Sequence, residues 1–125
     1  NMKRRKQMQF ELVFYETGDG QKPVEDFLLG LDMKMRAKMI HMMEILEDKG
    51  FELREPYTKP LGDGIFELRC KQANNITRAL FFFYIGGKII VTNGFTKKTP
   101  KTPRQEIRLA QERRADYIRR MEGLE

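Results

Sequence analysis

Apolar and polar residues alternate from position 9 to 16, QFELVFYE, with Phe10, Leu12 and Phe14 on one side; this predicts a half-buried strand. The cluster TGDGQKP that follows reads as a turn. The period then changes. Pro23 suits the first position of a short helix, PVEDFLLGL, in which Val24, Phe27, Leu28 and Leu31 form one apolar stripe. Asp32 is placed to cap a second helix that runs to about Lys49 and exits at Gly50. Along it Met35, Met39, Met42 and Leu46 recur at helical spacing, and Ile40 and Met43 widen the stripe. Residues 51–63 read as a loop with two prolines, closed by a Gly-Asp-Gly turn at Gly64. Three strands follow, Ile65–Lys71, Ile76–Ile85 and Lys88–Asn93; Asn74-Asn75 and Gly86-Gly87 supply the positive φ angles that tight hairpins need. A last helix is predicted from about Pro103 to Met121, with Thr102 as N-cap, Pro103 at the first position and Gln105 completing a T-x-x-Q capping box. The order βααβββα predicts an α+β fold, helices packed on a small antiparallel sheet.

Length and composition narrow the class. At 125 residues the expectation is one compact domain over 1–125, with 1–8 a flexible basic extension. An apolar fraction of 40% beside 34% charged residues suits a globular chain and not a disordered one. No apolar run is long enough to cross a membrane, and the charged start NMKRRKQMQF lacks the apolar segment of a signal peptide. The lone Cys70 falls on an inward-facing strand position, so it is expected to be a small core residue in a reducing, cytoplasmic setting. No His, Asp, Glu and Cys cluster with ligand spacing is present, so neither metal nor cofactor is expected.

The net charge of +6 is unevenly spread. Residues 8–58 hold six basic and eleven acidic groups, whereas residues 59–93 hold five and two, and residues 94–125 nine and five. A cationic second half therefore stands on an acidic scaffold, as a polyanion-binding protein would have it. In IFELRCK, Phe66, Leu68 and Cys70 point one way and Glu67, Arg69 and Lys71 the other. In the next strand Arg78 shares a face with Leu80, Phe82 and Tyr84 and is otherwise surrounded by apolar neighbours, so that strand is central. Two readings stand for Arg78: a pairing with Glu67 across the ladder, or a phosphate contact; the second is preferred. The loop GFTKKTPKTP sets Lys97, Lys98 and Lys101 just ahead of a helix N-terminus, where free backbone N–H groups favour anions. The common chemistry is a phosphate-bearing partner, with RNA the leading choice.

The strings GIFELR, NITRALFFF and GFTKKTPKTP, together with the opening FYETGDGQKPVEDFLLGLDMKMRAK, resemble the phage-derived Gp49-like branch of the RelE/ParE superfamily, the HigB-like toxins, over about residues 9–121. The resemblance implies a compact RelE-like domain and the toxin of a type II toxin–antitoxin pair, a ribosome-dependent endoribonuclease that cuts mRNA. It implies that the functional basic residues are Arg69, Arg78, Lys97 and Lys98, with Arg54 and Lys59 as secondary RNA contacts; Lys71 and Lys101 are expected to bind RNA beside them. It implies as partner a helix-turn-helix, HigA-like antitoxin in a heterotetrameric complex; the methionine-rich helix, through Met35, Met39 and Met42, is the expected contact. Superfamily members often use a histidine, tyrosine or glutamate as acid or base, but His41 lies in the second helix, remote from the cationic strands.

Metal-independent cleavage by the ribose 2′-OH needs a base, cations for the phosphorane and an acid for the leaving oxygen. Arg69 and Arg78 suit the middle role. Glu67 or a lysine can supply the base; Lys97 or Lys98 is preferred, which leaves Glu67 to orient an arginine. Two other readings remain open: a ParE-like poison of DNA gyrase, and a non-catalytic module that binds RNA or a protein partner.

Overall fold

The computed structural model describes residues 9–123. The chain runs through β1 (Glu11–Phe14), α1 (Pro23–Leu29), α2 (Met33–Lys49), a 3₁₀ turn (Gly50–Glu52), β2 (Thr58–Gly62), β3 (Ile65–Gln72), β4 (Asn75–Tyr84), β5 (Lys88–Lys97) and α3 (Arg104–Met121). One five-stranded sheet has the order β1-β5-β4-β3-β2. This is the expected α+β class, with one change of sheet type. Strands β2 to β5 form an antiparallel meander, but β1 lies parallel to β5, so the sheet is mixed.

Strand alternation gives each face of the sheet its own core. Leu68, Cys70, Ala79, Phe81, Ile89 and Val91 meet α1 and α2 through Val24, Leu28, Met35, Met39, Met43 and Leu46. On the opposite face Ile65, Leu80, Phe82, Ile90 and Phe95 meet α3 through Ala110 and Tyr117. Cys70 is thus a core residue, and burial pushes its thiol pKa up. Asp32 caps α2 as expected, accepting the Met35 N–H at 2.9 Å. Gly94 is required by close approach: a side chain there would meet the Phe27 ring of α1.

The positive φ expected of Asn74-Asn75 falls on Ala73 instead, at 54°. Four further expectations are corrected. First, residues 58–62 form a strand despite Pro60 and Gly62. β2 is an edge strand, where a missing N–H is tolerated, and its register shifts between those two residues. Second, β5 continues past Asn93 to Lys97. Third, the capping box does not form: α3 begins at Arg104 behind Pro103, and no side chain caps it. The Thr102 hydroxyl instead donates to Glu67. Fourth, Met35 and Met39 are buried and Met42 is half-buried, because the sheet occupies the face on which they lie. A partner cannot reach Met35 or Met39, so the antitoxin contact expected there is withdrawn. The expected basic extension, 1–8, lies outside the described residues.

Candidate functional site

On the α3 side of the sheet the register stacks three rows. Lys59, Glu67, Leu80 and Asn93 lie across the first, Arg69, Arg78 and Phe95 across the second, and Lys71, Ile76 and Lys97 across the third. Helix α3 lies over the Leu80–Asn93 part of the first row and over the rows beyond it, and it leaves Lys59 at the edge exposed. Just ahead of the helix, the chain from Lys98 to Pro103 folds back over the second row through the Thr99 and Pro100 carbonyls. The third row is left at the open end of the sheet.

Arg69 and Arg78 face each other directly across β3 and β4. Two guanidinium groups in that relation repel, and Glu67 in the neighbouring row offsets them. Its Oε1 lies 3.2 Å from Arg69 Nε and its Oε2 lies 3.6 Å from Arg78 Nε, while Thr102 donates to Oε2. Arg78 also donates through Nη2 to the Thr99 carbonyl, and its guanidinium stands over the Phe95 ring at 5.2 Å. Arg69 donates to the Pro100 carbonyl at 3.0 Å. The loop therefore closes on this cluster through backbone carbonyls and one hydroxyl. Burial lowers the Arg78 pKa, the Glu67 charge works against that, and Arg69 adds to it. The guanidinium stays protonated near neutral pH regardless.

Depth separates residues that the sequence treated alike. Both Glu67 and Arg78 are 0% exposed. Arg78 is thus an interior cation with Nε and Nη1 lacking hydrogen-bond acceptors, and its pairing with Glu67 is the reading that the geometry favours over a direct phosphate contact. Glu67 is equally out of reach of a ribose hydroxyl, which corrects its candidacy as base. The Arg69 side chain keeps 22% exposure. Lys59, Lys71, Lys97, Lys98 and Lys101 are all exposed, and Lys59, Lys71 and Lys97 share the sheet face of Arg69. Arg54 does not join them. It lines an apolar groove of about 520 Å³ with Phe51, Phe66, Phe81 and Phe83, side chains that include members of the α2-side core. His41 is exposed on α2, 3.9 Å from Glu44, and takes no part.

Two neighbours of the site escaped the sequence reading. Tyr57, 51% exposed, is brought beside Arg69 when its carbonyl accepts the Arg69 N–H at 2.9 Å. Lys38 crosses from α2 to donate to the Lys71 carbonyl at 2.7 Å. An aromatic between Pro56 and Lys59 was the available signal for the first. Lys38 sits on the polar side of a helix, and nothing local distinguishes it from Lys34. Among the described residues no group of three or more His, Cys, Asp or Glu side chains gathers as metal ligands, and no helix is long and apolar enough to cross a membrane.

A protein-family model described as Phage derived protein Gp49-like matches residues 26–115, from α1 through most of α3. Every residue of the cationic rows lies inside that span. Among curated proteins none matches the chain.

Proposed function

This chain belongs to the phage-derived Gp49-like family, toxins of toxin–antitoxin systems in the RelE/ParE-like group, and from that premise we propose that it is a HigB-like, ribosome-dependent endoribonuclease that cuts mRNA and so stops translation. The observation that carries this reading is Arg69. It is a partly open guanidinium, held by a buried carboxylate and a loop carbonyl, with the exposed Lys71 and Lys97 on the same sheet face. A cation fixed in this way is suited to charge that appears only in a transition state, because little reorganisation remains to be done.

In the proposed reaction the ribose 2′-oxygen attacks the adjacent phosphorus and the bond from phosphorus to the 5′-oxygen breaks. A 2′,3′-cyclic phosphate and a 5′-hydroxyl result. Arg69 stabilises the extra charge on the phosphorane. Lys97 or Lys98 takes the 2′-OH proton, and a second exposed lysine of the same face returns one to the leaving oxygen. Lys59, Lys71 and Lys101 bind neighbouring phosphates. Glu67 and Arg78 are positioning residues: they set the direction of Arg69 and tie the loop Lys98–Pro103 to the sheet. All steps run on side chains of the chain itself.

A toxin of such a pair has a cognate antitoxin. We take it to be a helix-turn-helix, HigA-like protein in a heterotetrameric complex, seated elsewhere than on Met35 and Met39. The test is to map transcript 5′ ends after brief expression of the parent and of Arg69→Ala, with chelator present in a parallel ribosome-based reaction that keeps ribosomes intact. New 5′-hydroxyl ends in the parent alone, persisting with chelator, are expected. Intact transcripts beside double-strand DNA breaks would replace this reading with the gyrase one.

A further inference from the structure

We propose that a cleft at the unpaired end of β3 binds one nucleobase of single-stranded RNA, stacked on Tyr57; the inference rests on the nuclease reading and names the part of the substrate that the cations do not hold. Pairing between β2 and β3 runs only as far as Thr58 and Leu68, followed by the backbone bond from Arg69 to Tyr57. Beyond it, from Cys70 to Gln72, no strand lies on the outer side of β3 among the described residues. A cleft of about 500 Å³ opens there, between α2, the segment before β2 and the loop after β5. That volume falls within the range of sites that take small molecules, roughly 300–1,000 Å³.

The chemistry of its walls selects the occupant. Met42, Pro56, Tyr57 and Pro100 offer apolar and aromatic surface, and the cations Lys38, Arg69 and Lys71 line the same cleft with no carboxylate among its lining residues. An apolar small molecule would gain nothing from three cations. A phosphate alone would gain nothing from the tyrosine face. A nucleotide uses both, which is how proteins hold single strands without reading a duplex: stacking on an aromatic ring beside cations that follow the backbone. Arg69 belongs to the cleft and to the cationic face alike, so a base held on Tyr57 sits next to the phosphate that Arg69 would stabilise. The geometry thereby couples base seating to the position of the scissile bond.

The chain has no tryptophan, which makes Tyr57→Trp a unique optical reporter. The full-length variant is titrated with a short oligouridylate and with an abasic ribose-phosphate strand of equal length. Stacking predicts that emission is quenched by the first and not by the second. Tyr57→Ala should weaken oligouridylate binding about tenfold or more, Tyr57→Phe should bind like the parent, and neither should change affinity for the abasic strand. Because Tyr57 is half exposed, a urea midpoint close to the parent's is expected for both variants and is measured alongside. If Tyr57→Ala binds oligouridylate like the parent, or the abasic strand quenches equally, the base site is rejected. If Arg69→Ala also binds like the parent, the cationic face falls with it; if Arg69→Ala is weak while Tyr57→Ala is not, only the base site falls.

Discussion

Removing the charge of Glu67 while keeping its shape tests the interior cluster most directly. In Glu67→Gln the amide still accepts from Thr102, but Arg69 and Arg78 then face each other with no counter-charge between them. At separations of 3.2 and 3.6 Å and an effective dielectric near 20, each guanidinium–carboxylate attraction is roughly 5 kcal/mol before solvation is counted. The Arg69 share is largely returned by water, since that side chain is partly exposed. Arg78 is 0% exposed and has no such recourse. Stranding one buried charge costs about 3–5 kcal/mol, and that is the expected loss. With an unfolding slope near 2 kcal/mol per molar urea, the midpoint should fall by roughly 2 M at constant slope. The double variant Glu67→Gln/Arg78→Met should recover most of the loss, because no lone cation is left in the interior. A single-variant loss below about 1 kcal/mol, or a double variant no better than the single one, would refute the claim that Glu67 is there to hold Arg78.

Three further outcomes follow from other parts of the molecule. Arg69→Ala should slow transcript cleavage about 10²–10³-fold while stability stays within roughly 1 kcal/mol of the parent; equal rates would remove Arg69 from the reaction. Asp116 accepts from Tyr15 at 2.6 Å and from Arg120 and Arg119; the Tyr15 and Arg120 hydrogen bonds, helped by the charges of Arg120 and Arg119, hold its carboxyl below the usual range. A depressed folded-state pKa contributes stability that is present above the unfolded value of about 4 and is lost as pH falls from there through the lower folded-state value, so melting temperature should drop below about pH 4 by less in Asp116→Asn than in the parent. Gly94→Ala places a Cβ 2.6 Å from the Phe27 ring and 3.2 Å from the Arg78 carbonyl, which should cost about 1–3 kcal/mol in a thermal melt; an unchanged melt would mean that α1 is free to move away.

The α+β class was legible because periodicity reports burial on one side of an element. Asp32 and Gly50 also mark the ends of α2 by local chemistry alone. Other features depend on partners that no local window contains. The parallel seat of β1 is settled by Ile89 and Val91, about 75 residues away in sequence, and by the Glu11–Lys88 ion pair at 2.9 Å. β2 was obscured because Pro60 breaks a central strand but not an edge one, and only the sheet order says which this is. The T-x-x-Q motif failed for a similar reason: Glu67, distant in sequence, competes for the Thr102 hydroxyl and wins it.

Alternation assigns a side chain to a face, yet it says nothing of depth along that face. Arg69 and Arg78 are directly opposed and share a residue type, and alternation treats them alike. Their fates part because β4 is central while the end of β3 has no strand on its outer side, so the loop after β5 covers one guanidinium and only touches the other. The same loop carries Lys98 and Lys101, both exposed. Backbone carbonyls pointing inward to the arginines and ammonium groups pointing outward to solvent thus belong to one short segment. The buried pair holds the segment in place, and the segment in turn presents its ammonium groups to solvent. The interior arginine therefore acts on the surface only through the position of its neighbours: charge and alternation alone set it beside Arg69 at the surface, whereas the geometry sets it one layer beneath.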